Sequence, residues 1–572
     1  MPPTAKQKVL IVGAGPTGLT AACELARRGI DIKVIDKAAS PCDQSRALAV
    51  HARTLELLDD MGIAGDMIAD GLPVSEFDIY DVDKRLAKLD LTQLDSQFQF
   101  LLVLPQSKTE GHLREYLSRL GGSVQQSTEL LDIQAASNCV MAKLKHEDGT
   151  EAEERFDWLI GCDGAHSAVR HALNLPFEGG KYNEKFVLAD VQLDSERDAA
   201  DCSPMAAYTG KRNIVAIFQI NEKLFRVIGI LPPNTVLANP EAPSLEEMQQ
   251  LVNLYRPDLR IHSPVWLASF NVSYRRVNQY RVGRVFLAGD SAHIHSPAGG
   301  QGMNTGMQDA VNLAWKLALT IDEGAHEKLL DSYEAERLPV AKAVLAGTNF
   351  LTRANVLRSP VSQQIRRHLA PVLVAQKPIQ HKIVDFFGEL SIAYRSSPIV
   401  FQHQRNLLAV ASGGKQPPDK PGMREWFEFG SGPAAGERAP DAQAVDARTQ
   451  RPIRLFEAFK GTKHCLLLLI GQRSPNVVLQ QLAPLAHAVE QKFGRLVHSV
   501  IVNIDREPPE LLAKLEAHVL FDREFAIHKR YGAGAACVYL IRPDGYVGYR
   551  GQPPELSDLE FYFRHYLGIE VE

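Results

Sequence analysis

The sequence predicts an α/β protein, and three observations carry that reading: a strand, glycine turn and helix opening at Lys8–Gly18, a second strand ending in Asp36, and two later strands that each run into a tight Asp/Gly turn. Lys8 to Val12 is a short apolar strand, and Gly13, Gly15 and Gly18 form a G-x-G-x-x-G turn into a helix. Gly13 allows the tight turn, Gly15 puts no Cβ in the path of a pyrophosphate, and Gly18 lets helix and strand pack closely. The first helical turn offers unpaired N–H groups to the anion. The apolar run Ile30 to Ile35 delivers Asp36 about 20 residues past the turn, where an acid holds a ribose hydroxyl. This is the signature of a dinucleotide site.

At 572 residues the chain exceeds one core, and about 150 residues per domain gives two to four domains. Its 45% hydrophobic and 23% charged residues are those of an ordinary globular protein, and a net charge of −5 argues against a nucleic-acid partner or a polybasic membrane role. No uninterrupted apolar run gives a signal peptide or a membrane span, so a cytoplasmic location is expected. The seven cysteines include no C-x-x-C pair, which fits reduced thiols and neither a disulfide frame nor a metal site.

Three further clusters follow. The segment SRALAVHARTLELLDDMGI places Leu48, Leu55, Leu58 and Met61 at helical spacing, with Arg46 at the mouth of that helix. Phe156 to Cys162 reads as a buried strand that delivers Asp163-Gly164 into AHSAVR. Arg284 to Ala288 is another strand, leading to Gly289-Asp290 and a loop with Gly299, Gly300 and Gly302. A helix then opens near Met303–Asn304, with Met307, Ala310, Val311, Ala314, Leu317 and Ala318 on one core-facing side.

The combination GAGPTG, SRALAVHARTLE, PQSKTE, DGAHSAVR, GDSAHIHSPAGGQGMN and YEAERLPVA resembles the single-component FAD-dependent aromatic hydroxylases. These flavoprotein monooxygenases include the phenol, pentachlorophenol and 3-hydroxyphenylpropionate hydroxylases and oxygenases of aromatic polyketides. The resemblance covers about the first two thirds of the chain. It implies a Rossmann-like FAD-binding domain over 1–177, with a small substrate-side segment near 74–104, an inserted β-sheet substrate domain over 178–274, and the rest of the FAD-binding domain over 275–411.

By the same resemblance, Gly13, Gly15, Gly18 and Asp36 hold the ADP half of FAD, Arg46 and Gln106 reach it from the side, and Asp290 binds the ribityl chain. Asp163, Gly164, Ser167 and Arg170 match a motif tied to both FAD and NAD(P)H; taken alone, Asp163 reads equally well as a turn residue. Pro297, Gly299, Gly302, Met303 and Asn304 belong to the loop and helix N-terminus facing the flavin. A helix N-terminus favours the negative charge that a reduced flavin carries.

The expected activity is hydroxylation of a phenolic or polycyclic aromatic by FAD, O2 and NADPH or NADH, through a C4a-hydroperoxyflavin. Alternatives are Baeyer–Villiger insertion, a flavoprotein without oxygen transfer, and a ligand-binding protein of the same fold. His295 and His51, with Pro297 beside them, are the catalytic candidates. Tyr208, Phe218 and Arg226 are candidate pocket residues in the alternating strands NIVAIFQI and LFRVIGIL and their neighbours; their plainer reading is sheet packing for the aromatics and a solvated charge for Arg226. Where phenol hydroxylase has an aspartate just before its RTLE segment, this chain has Leu48 and an apolar run, which argues against simple phenols.

From about Ala325 to His403 the pattern is helical, and Ser412–Gly422 is a Gly/Pro-rich linker. Residues 423–572 read as β-α-β plus a hairpin at CVYLIRPDGYVGYR. That order resembles the thioredoxin-like domain of phenol hydroxylase relatives, but without C-x-x-C, so a structural role or a homodimer contact is expected of it.

Overall fold

The structure is a computed structural model that describes residues 7–41, 47–82, 84–195, 203–210, 213–232, 235–296, 299–356, 376–404, 423–473, 477–504 and 517–570. It divides into two compact units, Met1–Val311 with Arg337–Ser391, and Asn312–Glu336 with Ile392–Glu572. Arg46, Pro297 and the segment 412–422 lie outside the described residues. Among the described residues no helix is long and apolar enough to cross a membrane.

The first unit opens on a parallel sheet. Lys8–Val12 lies between Asp31–Ile35 and Trp158–Gly161, with Val124–Gln125 and Val285–Leu287 outside them. Val9, Leu10, Ile11, Leu159, Ile160 and Val285 to Leu287 are wholly buried, which is why these strands read as continuous apolar runs rather than alternating ones. Because the strands are parallel, their carboxyl ends share one edge. Gly13, Asp36, Asp163 and Asp290 therefore emerge together although up to 277 residues separate them.

Two expectations need correction. Phe156–Cys162 is not one strand: Glu151–Phe156 belongs to a separate antiparallel sheet and Trp158–Gly161 to the parallel one. Asp157 breaks the run, its carboxylate accepting the Lys8 N–H at 2.8 Å. Leu48 is not on the predicted helix, which spans Ala52–Asp60. Ala49–Val50 instead pairs with Leu102–Val103, and backbone hydrogen bonding holds Leu48 extended beside Leu104.

A second, largely antiparallel sheet is ordered His293–Ile294, Leu259–Arg276, Glu178–Ser195, Leu224–Leu231, Ile214–Gln219, Met205–Thr209, Glu76–Asp81, Lys84–Asp90. One face, carrying Val187, Ala189, Val191, Ala206, Val215, Ile217 and Val227, packs against Met248, Leu251 and Val252 of the helix Leu245–Asn253. A capping box of Ser244 and Glu247 starts that helix. Period-two alternation assigns the intervening residues to the opposite face.

The long helix Gly302–Asp322 starts one residue before its predicted opening, and Met307, Ala310, Val311, Ala314, Leu317 and Ala318 are all buried. Lys328–Val356 and Lys377–Gly388 are helical as the pattern predicts, but Phe401–Gln404 is a strand paired in parallel with Tyr549–Gln552. Its alternating aromatic and polar side chains suit an edge position better than a helix.

The second unit is built on a mixed sheet with His464–Leu469 at its centre, parallel to Val497–Asn503 and antiparallel to Cys537–Ile541. Cys537–Ile541 and Val547–Gln552 form the predicted hairpin. Leu466 and Leu468 face one core, Cys465, Leu467 and Leu469 the other. Burial pushes the Cys465 and Cys537 thiols above their ordinary range, so neither is a reactive thiolate. Glu336 is fully buried and accepts from Lys316 at 2.7 Å and from Arg542 at 2.6 Å. Such charges fold only as a complete set, because each alone would meet a prohibitive desolvation cost.

Candidate active site

The glycine turn has the geometry its sequence requires. Gly13 has φ +102°, and a Cβ there would lie 2.4 Å from the Cys162 carbonyl oxygen; one on Gly18 would lie 1.9 Å from the Gly13 oxygen. Gly15 faces open space and caps the helix Pro16–Ala26 with no side-chain hydrogen bond, so the first-turn N–H groups have no side-chain acceptor there. Asp36 accepts from the Ala14 N–H at 2.7 Å and the Ala38 N–H at 2.9 Å. It thus braces the turn and retains lone pairs for a further donor. Arg114, which the sequence reading missed, donates to the Ala14 carbonyl at 3.2 Å. Its signal was present: it stands at i+8 from Gln106 and i+4 from Glu110 on the helix Gln106–Arg119.

Gln106 fastens this helix to the chain before Ala52. Its Oε1 accepts the Ala47 N–H at 3.1 Å and its Nε2 donates to Glu110 at 2.8 Å.

The Asp163 and Asp290 turns are tied together by Ser291, a second residue the sequence reading missed. The Ser291 hydroxyl donates to Asp163 at 3.0 Å and accepts the Gly164 N–H at 3.0 Å. Arg170 donates to the Ser291 carbonyl at 3.0 Å and to the Ala165 carbonyl at 2.8 Å, and its guanidinium lies over the Phe177 ring. Ser167 caps the short helix Ala168–Ala172 by accepting the Arg170 N–H at 2.9 Å. Asp290 is exposed at the turn beside buried Ser291.

The long helix closes on both turns. A Cβ on Gly289 would lie 2.6 Å from the Thr17 hydroxyl and one on Gly306 2.4 Å from it, so two small residues let the helix approach the glycine turn. Asp309 accepts from the Gly289 N–H at 3.0 Å, from His293 at 2.7 Å and from Arg337 at 2.6 Å. Burial alone would raise its carboxyl, but Arg337 and His293 outweigh burial and hold it below the usual carboxylate range. Arg337 also donates to the Thr305 carbonyl at 3.1 Å.

At the start of that helix Asn304 accepts the His51 backbone N–H at 2.9 Å and donates to the Ala49 and Gly300 carbonyls at 2.8 and 3.1 Å. Gly299 and Gly300 have φ +99° and +66°, a backbone form that side chains rarely adopt. His51 approaches the Gly300 carbonyl at 3.2 Å through Nε2, and His295 the Ser296 carbonyl at 2.9 Å through Nδ1. Burial pushes both imidazoles down to about 4, so they are neutral at pH 7.

The pocket candidates separate. Tyr208 is buried on the face that packs against the helix Leu245–Asn253, stacked on Tyr80 and bonded from Arg256. Arg226 and Phe218 are register partners on the opposite face. Arg226 is not a solvated charge: it is 1% exposed and donates twice to Asp190, at 2.8 and 2.7 Å. Trp266 stands beside this pair, 5.6 Å from the guanidinium.

The chain is also similar to known proteins. Residues 6–348 match the FAD binding domain family model. The 6-methylpretetramide 4-monooxygenase of Streptomyces rimosus is 33% identical over 563 residues, 96% of this chain and 92% of that protein. The pentachlorophenol 4-monooxygenase of Sphingobium chlorophenolicum is 30% identical over 95% of this chain and 94% of its own. A ternary complex of aklavinone-11 hydroxylase with FAD and aklavinone has a TM-score of 0.74 at 25% identity, covering 99% of each chain. The chain belongs to the FAD binding domain family and is an FAD-dependent aromatic monooxygenase.

Proposed function

We propose that the enzyme hydroxylates a polycyclic phenolic compound with NAD(P)H as electron donor and O2 as co-substrate. The observation that carries this reading is the joining of three turns at one sheet edge, through Ser291, Thr17 and Asp309, beside a glycine-lined helix N-terminus. The residues fit FAD: Gly15 leaves a cradle that a side chain would fill, the helix behind it lacks a side-chain cap, and exposed Asp290 stands at the same edge. Bound there, FAD supplies the activation of dioxygen and accepts the hydride.

Within that reading, Gly13, Gly15, Gly18 and Asp36 hold the ADP half, with Arg114 beside Ala14 adding a cation. Gln106 shapes the adjoining wall. Asp163, Gly164, Ser167 and Arg170 set the turn through which nicotinamide access is controlled. Gly299, Gly302, Met303 and Asn304 present backbone to the isoalloxazine and favour negative charge on it. The sheet face carrying Phe218, Arg226 and Asp190 is the substrate platform, whose part is to exclude water. His51 and His295 are polar groups of the cavity wall. Residues 178–274 act as the substrate domain between the two parts of the FAD-binding domain, and 423–572 as a thioredoxin-like domain without exchange chemistry that serves as a homodimer contact in the cytoplasm.

Aklavinone-11 hydroxylase and 6-methylpretetramide 4-monooxygenase, named for polycyclic compounds, resemble this chain over 99% and 96% of its length, and pentachlorophenol 4-monooxygenase does so over 95%. A polycyclic substrate is favoured over a simple phenol because Leu48 and an apolar run stand where phenol hydroxylase carries an aspartate. The test is anaerobic reduction of the FAD-loaded enzyme by NADPH and NADH, with and without tetracyclic phenols. Reduction accelerated by such a compound supports the reading. Reduction indifferent to every aromatic tested contradicts it.

A further inference from the structure

His295 follows the strand His293–Ile294 and lies against the first residue of the long helix: a Cβ on Gly302 would sit 3.7 Å from its Nε2. Its tautomer follows from one contact. The Ser296 carbonyl at 2.9 Å can only accept, so the ring proton is on Nδ1 and Nε2 is a bare acceptor. That Nε2 is buried and has no hydrogen-bond partner among the described residues. A buried acceptor left unmatched is costly, which makes it a mark of a ligand-binding position.

Beside this acceptor is the helix N-terminus, whose Gly302 and Met303 N–H groups lack intrahelical partners and face the flavin in the reading above. An unmatched acceptor at that place is the complement of a hydroxyl's O–H. We propose that His295 Nε2 accepts the O–H of the aromatic substrate, making His295 a residue that selects hydroxylated rings and orients them at the helix N-terminus. The inference rests on the monooxygenase reading above and names the substrate feature that the site recognises.

His295 acts here as an acceptor and not as a general base. Burial keeps its basicity far below that of a phenolate, so the proton stays on the substrate oxygen while the hydrogen bond raises electron density in the ring. Removing the acceptor should penalise only ligands that bring a hydroxyl.

The probes are β-naphthol and its methyl ether, which differ in the O–H alone. In FAD-loaded protein with nitrogen-labelled histidine, the His295 Nε2 resonance should be that of a bare ring nitrogen, move to the hydrogen-bonded position with β-naphthol, and stay with the ether. His295→Phe should weaken β-naphthol about tenfold and leave the affinities for the ether and for FAD unchanged, while His295→Gln, which keeps an acceptor, recovers part of the loss. An Nε2 signal already hydrogen-bonded once FAD is loaded would assign the donor to the flavin and overturn the proposal. So would equal losses for both ligands, or no Nε2 shift at the solubility limit of β-naphthol. The NMR arm uses the unsubstituted protein and needs no turnover, so its result is separable from failure of the monooxygenase reading, which would appear as missing oxygenated product.

Discussion

The Ser291 hydroxyl donates to Asp163 at 3.0 Å, bridging two turns 128 residues apart in the chain. The same oxygen accepts the Gly164 N–H, so one small side chain sets the position of both turns. Ser291→Ala should cost about 1–2 kcal/mol of stability, from a carboxylate and an amide left partly unmatched. FAD should also dissociate faster. Thermal unfolding with and without FAD, and flavin fluorescence, measure both effects; unchanged FAD affinity would show that the turns are held by other contacts.

Asp309 ties the Gly289 turn to His293 and Arg337. Asp309→Asn removes the carboxylate that Arg337 and His293 share in the buried interior and should cost about 3–5 kcal/mol. Its folded pKa is depressed, so its contribution is full above the ordinary carboxylate range and is lost as pH falls through the folded value. The stability gap between the native enzyme and the Asn variant should therefore narrow on strong acidification. A gap that widens there would contradict the assignment.

Glu389 is buried with φ +57°, accepts from Gln308, and has its other oxygen unpartnered among the described residues. Burial pushes its carboxyl up to about 8. A raised pKa means stability that is full below the ordinary carboxylate value and is lost as pH rises through about 8. Glu389→Gln should remove that loss, so the variant gains on the native enzyme between pH 6 and 9, on the order of 1 kcal/mol or more. Parallel unfolding curves across that range would show that Glu389 ionises normally.

Gly15 and Gly18 belong to one motif but should fail differently. Gly18→Ala drives a Cβ to 1.9 Å from the Gly13 oxygen and should destabilise the fold itself, whereas Gly15→Ala meets nothing within 4 Å and should fold normally yet lose FAD. Circular dichroism and flavin content of the purified variants separate the two. A Gly15→Ala protein that retains FAD at native affinity would remove the cradle from the account.

Much of this site was legible because its backbone is stereotyped. The glycine turn, the acid after the second strand and the Asp/Gly turns mark where strands end, and parallel pairing brings those ends together whatever their separation. Ser291 and Glu389 were not legible, since their roles depend on which distant group lies opposite, Asp163 for one and Gln308 for the other. The sheet shows the same limit. Alternation identified its strands, but only register revealed that Tyr208 faces the helix Leu245–Asn253 while Arg226 faces away and pairs with Asp190. Leu48 misled because one apolar residue fits helical spacing as well as it fits the extended chain beside Leu104.

Turnover of the FAD-loaded enzyme with NAD(P)H, heavy-isotope dioxygen and tetracyclic phenols, with product mass and hydrogen peroxide followed together, decides whether the enzyme is an oxygen-transferring hydroxylase. A hydroxylated product carrying a single labelled oxygen atom, with little peroxide, is the expected result. NAD(P)H oxidation that yields peroxide alone with every aromatic, or a product whose added oxygen comes from water, would contradict it.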